Sequence, residues 1–221
     1  MGTAMMMYAQ DYDERTAPTR TTNKESAGYC QSDNSQYPPM EGWRTALLPY
    51  FKSYQLMLCP SNPYREHATE EVNKQFKVSY ATNGVIEYYL DPRDNVGVPL
   101  AGLKRPAETV MLLESNWPCN NQGDWSAWKS AGSCDPGING ANQAFFTHRG
   151  KGGSMNWAFF DGHSKAYKLP ATLARIGPRG VAGTYNLWGL EEDGDFESSS
   201  HWGWSWWMDQ DQSDNLCDVY K

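Results

Sequence analysis

The chain has 221 residues, of which 39% are hydrophobic and 14% aromatic, with ten Trp, and its net charge is −7. That balance excludes a nucleic-acid footprint, which needs clustered Lys and Arg, and no apolar run reaches the roughly 18 residues of a membrane span. Twenty Gly and 13 Pro point to a loop-rich, β-leaning single domain over residues 1–221, with aromatics supplying much of the buried area.

In chain order, "GTAMMMYAQDY" (2–12) is predicted as helix, because Ala4, Met5, Tyr8, Ala9 and Tyr12 fall on one face. No capping residue precedes it, so it reads as the end of a longer helix whose upstream part is missing. Residues 13–40 are polar and read as loop. "EGWRTALLPYF" (41–51) is a short helix with a Trp43, Leu47, Leu48 stripe. "QLMLCPSNP" (55–63) reads as a short apolar strand stopped by Pro60. "KVSYATNGVIEYYL" (77–90) is strand-like, with Asn83-Gly84 as a turn signal. "ETVMLLES" (108–115), a continuous apolar run between polar ends, is the best candidate for a buried strand. Residues 116–141 form a Gly, Asn and Cys-rich excursion. "PATLARIG" (170–177) is a helix opened by Pro170 and closed by Gly177. The C-terminal region, 170–221, is otherwise loop-like, acidic and Trp-rich.

"MNWAFFDGHSKAYKL" (155–169) alternates, breaks at Asp161-Gly162, and alternates again. Asp-Gly between such runs signals a hairpin with a two-residue loop, in which both turn residues take positive φ. The register then sets Phe160 opposite His163, Ala158 opposite Lys165 and Asn156 opposite Tyr167. Trp157 and Phe159 face the other way, opposite Ala166 and Ser164, and with Met155 form the core side. The sharper alternative is a metal-dependent hydrolase site of His148, Asp161 and His163, since two His and a carboxylate can hold a transition metal. It is the weakest reading, because no nucleophile or general-base motif accompanies them.

The five cysteines are Cys30, Cys59, Cys119, Cys134 and Cys217, and none forms C-x-x-C. Zinc-finger spacing is absent, so disulfides in an oxidising compartment are expected. Cys30–Cys59 and Cys119–Cys134 are the suggested pairs, although sequence alone does not fix connectivity.

Taken in order, these segments resemble prepilin-type, pseudopilin-like proteins of the type II secretion and type IV pilin-like superfamily. "GTAMMMYAQDYDE" is similar to the stretch after their membrane helix. "WRTALLPYFKSYQLMLCPSNP" looks like their middle segment with its Cys-Pro-Ser step, and "AETVMLLES" and "VSYATNG" also fit. "THRGKGGSMNWAFFDGHSKAYKL" resembles their C-terminal signature, a His followed at a distance by Asp-Gly, carried here by His148, Asn156, Asp161, Gly162 and His163. Twelve residues separate His148 from Asp161, more than the signature usually has, and the surplus falls at 149–153.

The resemblance implies an α+β, pilin-like fold, with an N-terminal helix laid on an antiparallel sheet that carries long loops. It implies a non-enzymatic structural subunit of a cell-surface filament or type II secretion pseudopilus. Its precursor would be anchored in the inner membrane, its mature form would be extracytoplasmic, and its partners would be other pilin-like subunits. Met5, Met6, Met7 and Tyr8 would cover the sheet or contact neighbouring subunits.

Two C-terminal features complete the set. "EEDGDFE" (191–197) gathers Glu191, Glu192, Asp193 and Asp195 around a Gly, a ligand set suited to Ca²⁺. Asp209, Asp211 and Asp214 offer a similar one, and a plain solvated acidic loop is the favoured competing reading. "HWGWSWWMD" (201–209) places Trp202, Trp204, Trp206 and Trp207 together. They suit burial or a subunit interface better than a sugar-stacking platform, and the latter defines the alternative of a carbohydrate-binding surface module.

Overall fold

The structure, a computed structural model, describes residues 1–18, 42–51, 53–62, 79–83, 86, 96–114, 148, 152–174, 176–178, 181, 183–189 and 191–192. The fold is mixed α and β. Its centre is a four-stranded antiparallel sheet in chain order: β1 (Tyr80–Thr82), β2 (Val110–Glu114), β3 (Met155–Phe159) and β4 (Ser164–Tyr167). The helices whose bounds fall among the described residues are α1 (Gly2–Asp11), α2 (Trp43–Ala46) and α3 (Leu169–Leu173). A separate two-stranded pair joins β5 (Thr184–Tyr185) to β6 (Glu191–Glu192). No helix among the described residues is long and apolar enough to cross a membrane.

β2 is buried along its whole length, as its apolar run predicts. Its register against β3 slips between Val110 and Leu112, so a β-bulge interrupts the strict alternation. Val110 and Leu113 therefore join Trp157, Phe159, Leu169, Leu173 and Trp188 on one face of the sheet. Met111 and Leu112 both join Met5, Trp43, Leu47, Met57 and Phe160 on the other. Both faces of the sheet are thus covered, α3 lying on the first and α1 on the second.

The placement of α1 follows from its small and flexible residues. A Cβ on Gly2 would stand 2.8 Å from the Gly162 carbonyl oxygen, so the helix start sits directly on the β3–β4 turn. Ala4, Met5 and Ala9 are buried, while Tyr8 is half-buried and Tyr12 exposed. Tyr8 stacks on Tyr12 at 4.1 Å and meets the Tyr50 ring edge-on, and the Tyr50 hydroxyl donates to Asp11 at 2.8 Å. Beyond the helix, Asp13 and Glu14 take left-handed φ of 50° and 55°, and the Glu14 N–H reaches the Ala9 carbonyl at 2.9 Å. This is the long closing bond of a Schellman-type end. The chain then pairs with 97–100 through Thr16 and Val98, whose N–H donates to Thr16 Oγ1 at 2.9 Å.

Several expectations are corrected. Of the strand expected over 55–63, the described residues 55–62 do not form one; Tyr54–Met57 is a 3-10 turn, capped by the Ser53 hydroxyl, which accepts from the Gln55 N–H at 3.2 Å. The stripe at 41–51 divides into α2 and a 3-10 turn at Leu48–Tyr50, with Trp43 and Leu47 buried and Leu48 half-buried. Asn83 follows the end of β1, and Gly84, its partner in the expected turn, lies outside the described residues. Asn83 is buried, its amide donates to the carbonyls of Val110 at 2.8 Å and Trp188 at 3.2 Å, and its Oδ1 accepts from the Ile86 N–H. α3 ends at Leu173, four residues before Gly177, because Ile176 already pairs with Tyr185.

The hairpin register is also one residue from that expected: Asn156 pairs with Ala166, Trp157 with Lys165 and Ala158 with Ser164. The loop has three residues rather than two. Phe159 bonds His163 through N–H to carbonyl at 2.9 Å, the Gly162 N–H closes a turn on the Phe159 carbonyl at 2.8 Å, and Gly162 alone takes positive φ, 90°. This is the turn-plus-bulge hairpin, in which a single left-handed Gly suffices. Met155, Trp157 and Phe159 are buried together as expected, whereas Phe160 turns to the opposite face and packs with α1.

Candidate functional site

The hairpin motif residues divide between the two ends of β3. At one end, His148 bridges Ser154. At the other, Asp161 and His163 flank the turn. A strand rises about 3.3 Å per residue, so five residues of β3 put roughly 16 Å between them. His148, Asp161 and His163 therefore do not form one site. His163 bonds locally, its Nδ1 2.6 Å from Asp161 Oδ1 and its N–H donating to the same oxygen at 3.1 Å. Its ring stacks on Phe159 at 4.3 Å, not on Phe160, because the register places Phe159 opposite it. Burial alone would raise the Asp161 carboxyl, but the bonds from His163 outweigh it and hold it below its ordinary value.

The end at His148 carries a different constellation. Glu114 closes β2 and is only 1% exposed. Its Oε1 lies 2.8 Å from His148 Nε2, and its Oε2 accepts the Asn156 N–H at 2.7 Å. The Asn156 amide adds a 3.2 Å contact to Oε1. The third member is Cys59, 5% exposed, whose Sγ lies within 4.8 Å of the same carboxylate. It is delivered by the Cys-Pro-Ser-Asn step, which folds as a turn closed by the Asn62 N–H on the Cys59 carbonyl at 3.0 Å. Pro60 at the second position presets that turn. Asn62 is buried and donates to Ser79 Oγ at 3.0 Å, fastening the turn to the start of β1.

Burial, the largest effect, pushes the Cys59 thiol up; the Ser61 N–H opposes it, Glu114 adds to the rise, and the Asn62 N–H opposes it least, so the thiol stays raised. The Tyr80 hydroxyl beside them is pushed up to about 12, chiefly by burial and then by Cys59 and Glu114. A thiol held in its neutral form is the opposite of an activated nucleophile. The donor atoms of Cys59, Glu114 and His148 all lie within 4.8 Å of one another, and among the described residues this is the group that could hold a metal ion.

The sequence singles out Cys59 and His148 for other roles and passes over Glu114. Fifty-five and 34 residues separate the three positions, so no motif spacing joins them. The one available signal is the acidic residue that closes a continuous apolar strand, where a buried carboxylate needs partners.

Cys59 is a free thiol here. Cys30, its suggested partner, lies outside the described residues, as do Cys119, Cys134 and Cys217. Of the acidic cluster, Glu191 and Glu192 lie in β6, paired with Tyr185 and Thr184, rather than in a loop. Asp193, Asp195, Asp209, Asp211 and Asp214, and Trp202, Trp204, Trp206 and Trp207, lie outside the described residues. No protein-family model matches the chain, and neither a curated protein nor a solved structure matches it.

Proposed function

We propose that the protein is a pilin-like structural subunit of a cell-surface filament or of a type II secretion pseudopilus, acting by packing rather than by chemistry. The observation that supports this best is the division of labour along α1. Gly2, Ala4, Met5 and Met6 lie on the antiparallel sheet and its hairpin, while Met7 is 46% and Tyr12 53% exposed. A helix that spends one face on its own sheet and leaves Met and Tyr outward has material for contacts with neighbouring subunits. The ordered resemblance of the α1, Cys-Pro-Ser and His148 to His163 segments to prepilin-type proteins points the same way. The reading carries its setting with it: an inner-membrane-anchored precursor, an extracytoplasmic mature protein and homologous subunits as partners.

The test is expression of the protein from its complete native gene in a host carrying a prepilin peptidase. Leader processing, recovery in filaments or membrane-bound assemblies, and cross-linking between copies bearing Met7→Cys are expected. A dispersed, unprocessed, membrane-free monomer would end the proposal. The His148, Asp161 and His163 hydrolase reading has no geometric support, since the residues lie at opposite ends of β3.

A further inference from the structure

We propose that Cys59, Glu114 and His148 bind one transition-metal ion of the zinc type, through a thiolate sulfur, a carboxylate oxygen and an imidazole nitrogen. The inference is independent of the pilin-like reading. It begins with convergence: three donors of three chemical types come from a turn, a strand end and an isolated bridge, and their donor atoms lie within 4.8 Å of one another. In a tetrahedral zinc site, bonds of about 2.0–2.3 Å imply ligand–ligand distances of roughly 3.3–3.8 Å. A shift of about an ångström, within the reach of side-chain rotation, converts the present cluster into that geometry.

The donor set selects the ion. Sulfur with imidazole nitrogen suits zinc and its first-row neighbours, whereas calcium and magnesium prefer oxygen throughout. When the ion binds, the sulfur–metal bond forms, the S–H bond breaks and its proton leaves to solvent. The support that metal-binding carboxylates generally receive is already present, since both the N–H and the amide of Asn156 hold Glu114. His148, with 27% of its side chain exposed, marks the side from which an ion enters. Three protein ligands leave a fourth position for water.

The experiment uses the full chain, stripped with a chelator under reducing conditions and titrated with Co²⁺ and then Zn²⁺. One equivalent of Co²⁺ is expected to produce a thiolate-to-cobalt charge-transfer band that Zn²⁺ abolishes. X-ray absorption of the zinc form should give one sulfur at about 2.3 Å, with nitrogen and oxygen neighbours at about 2.0–2.2 Å. The band should vanish in Cys59→Ser and persist in Cys217→Ser. His148→Ala should weaken Co²⁺ binding by more than about tenfold, the least that even an outer-shell change costs. A zinc shell without sulfur, a band that survives in Cys59→Ser, or unchanged affinity in His148→Ala overturns the proposal. If Cys59→Ser fails to fold, the sulfur count on the unmutated protein and the His148→Ala affinity decide it alone.

Discussion

Replacing Glu114 tests whether one carboxylate holds the sheet's end together. The side chain accepts a backbone N–H from β3 at 2.7 Å and lies 2.8 Å from His148 Nε2, with a weaker 3.2 Å contact to the Asn156 amide. Hydrogen bonds to a charged acceptor contribute about 1.5–3 kcal/mol each. Asn156 and His148 reach solvent, so water recovers part of what they lose when the acceptor disappears. Two strong bonds, discounted in that way, put the cost of Glu114→Ala at about 3–5 kcal/mol, the range for breaking a buried charged pair. Glu114→Gln keeps the shape but turns one acceptor into a donor facing a donor, and should cost about half as much. In metal-free buffer, with an m-value of about 2 kcal/mol per molar urea, these losses shift the unfolding midpoint by roughly 2 M and 1 M. A Gln variant as stable as the parent, or an Ala variant losing less than about 1 kcal/mol, would falsify the view of Glu114 as the hub. A double-mutant cycle with His148→Ala should give a coupling above about 0.5 kcal/mol.

Three further outcomes are expected. Gly97→Ala should be far more damaging than Gly162→Ala: at Gly97 a Cβ would fall 1.8 Å from the Thr16 carbonyl oxygen, while at Gly162 it meets the movable Met6 side chain at 2.9 Å. Both sites carry positive φ, costing about 1–3 kcal/mol, so equal melting temperatures for the two variants would refute the contrast. Asn83→Ala should cost about 2–4 kcal/mol by chemical denaturation, because it orphans two buried carbonyls; a loss under about 1 kcal/mol would mean that water replaces the amide. Asp161 has a lowered pKa, so its contribution is full above the ordinary carboxylate value of about 3.9 and fades as pH falls through the folded value. Melting curves of Asp161→Asn and the parent should therefore differ at about pH 6 and converge toward about pH 2; a gap that ignores pH would count against the pair.

Local pattern carried the fold a long way. α1 was readable from its spacing, and β2 from an apolar run with no polar interruption, because burial on both faces erases alternation. The hairpin was readable too, but its register was not. Asp-Gly is compatible with a two-residue loop and with a three-residue loop, and the choice rests on whether Phe160 joins the strand or turns toward α1. That is a tertiary contact, which no window of sequence contains. The strand expected at 55–63 failed for the related reason that apolar residues need a ladder partner, and Ser53 offers the backbone a local alternative. The Cys59, Glu114 and His148 cluster was hidden because its members meet only after β2 and β3 pair.

The bulge in β2 also bears on how distant relatives of this chain should be aligned. Because Met111 and Leu112 point to one face and Val110 and Leu113 to the other, the segment has a fixed parity. Adding or deleting a single residue between 110 and 114 would send aliphatic side chains into the wrong layer and rotate Glu114 away from His148. Gaps therefore belong in the turns, and a true relative should keep this segment's length even where its letters change. β4 is the opposite case, with Ser164, Lys165 and Ala166 all facing solvent, so its letters are free to drift and a fluorophore or spin label would sit there with little cost.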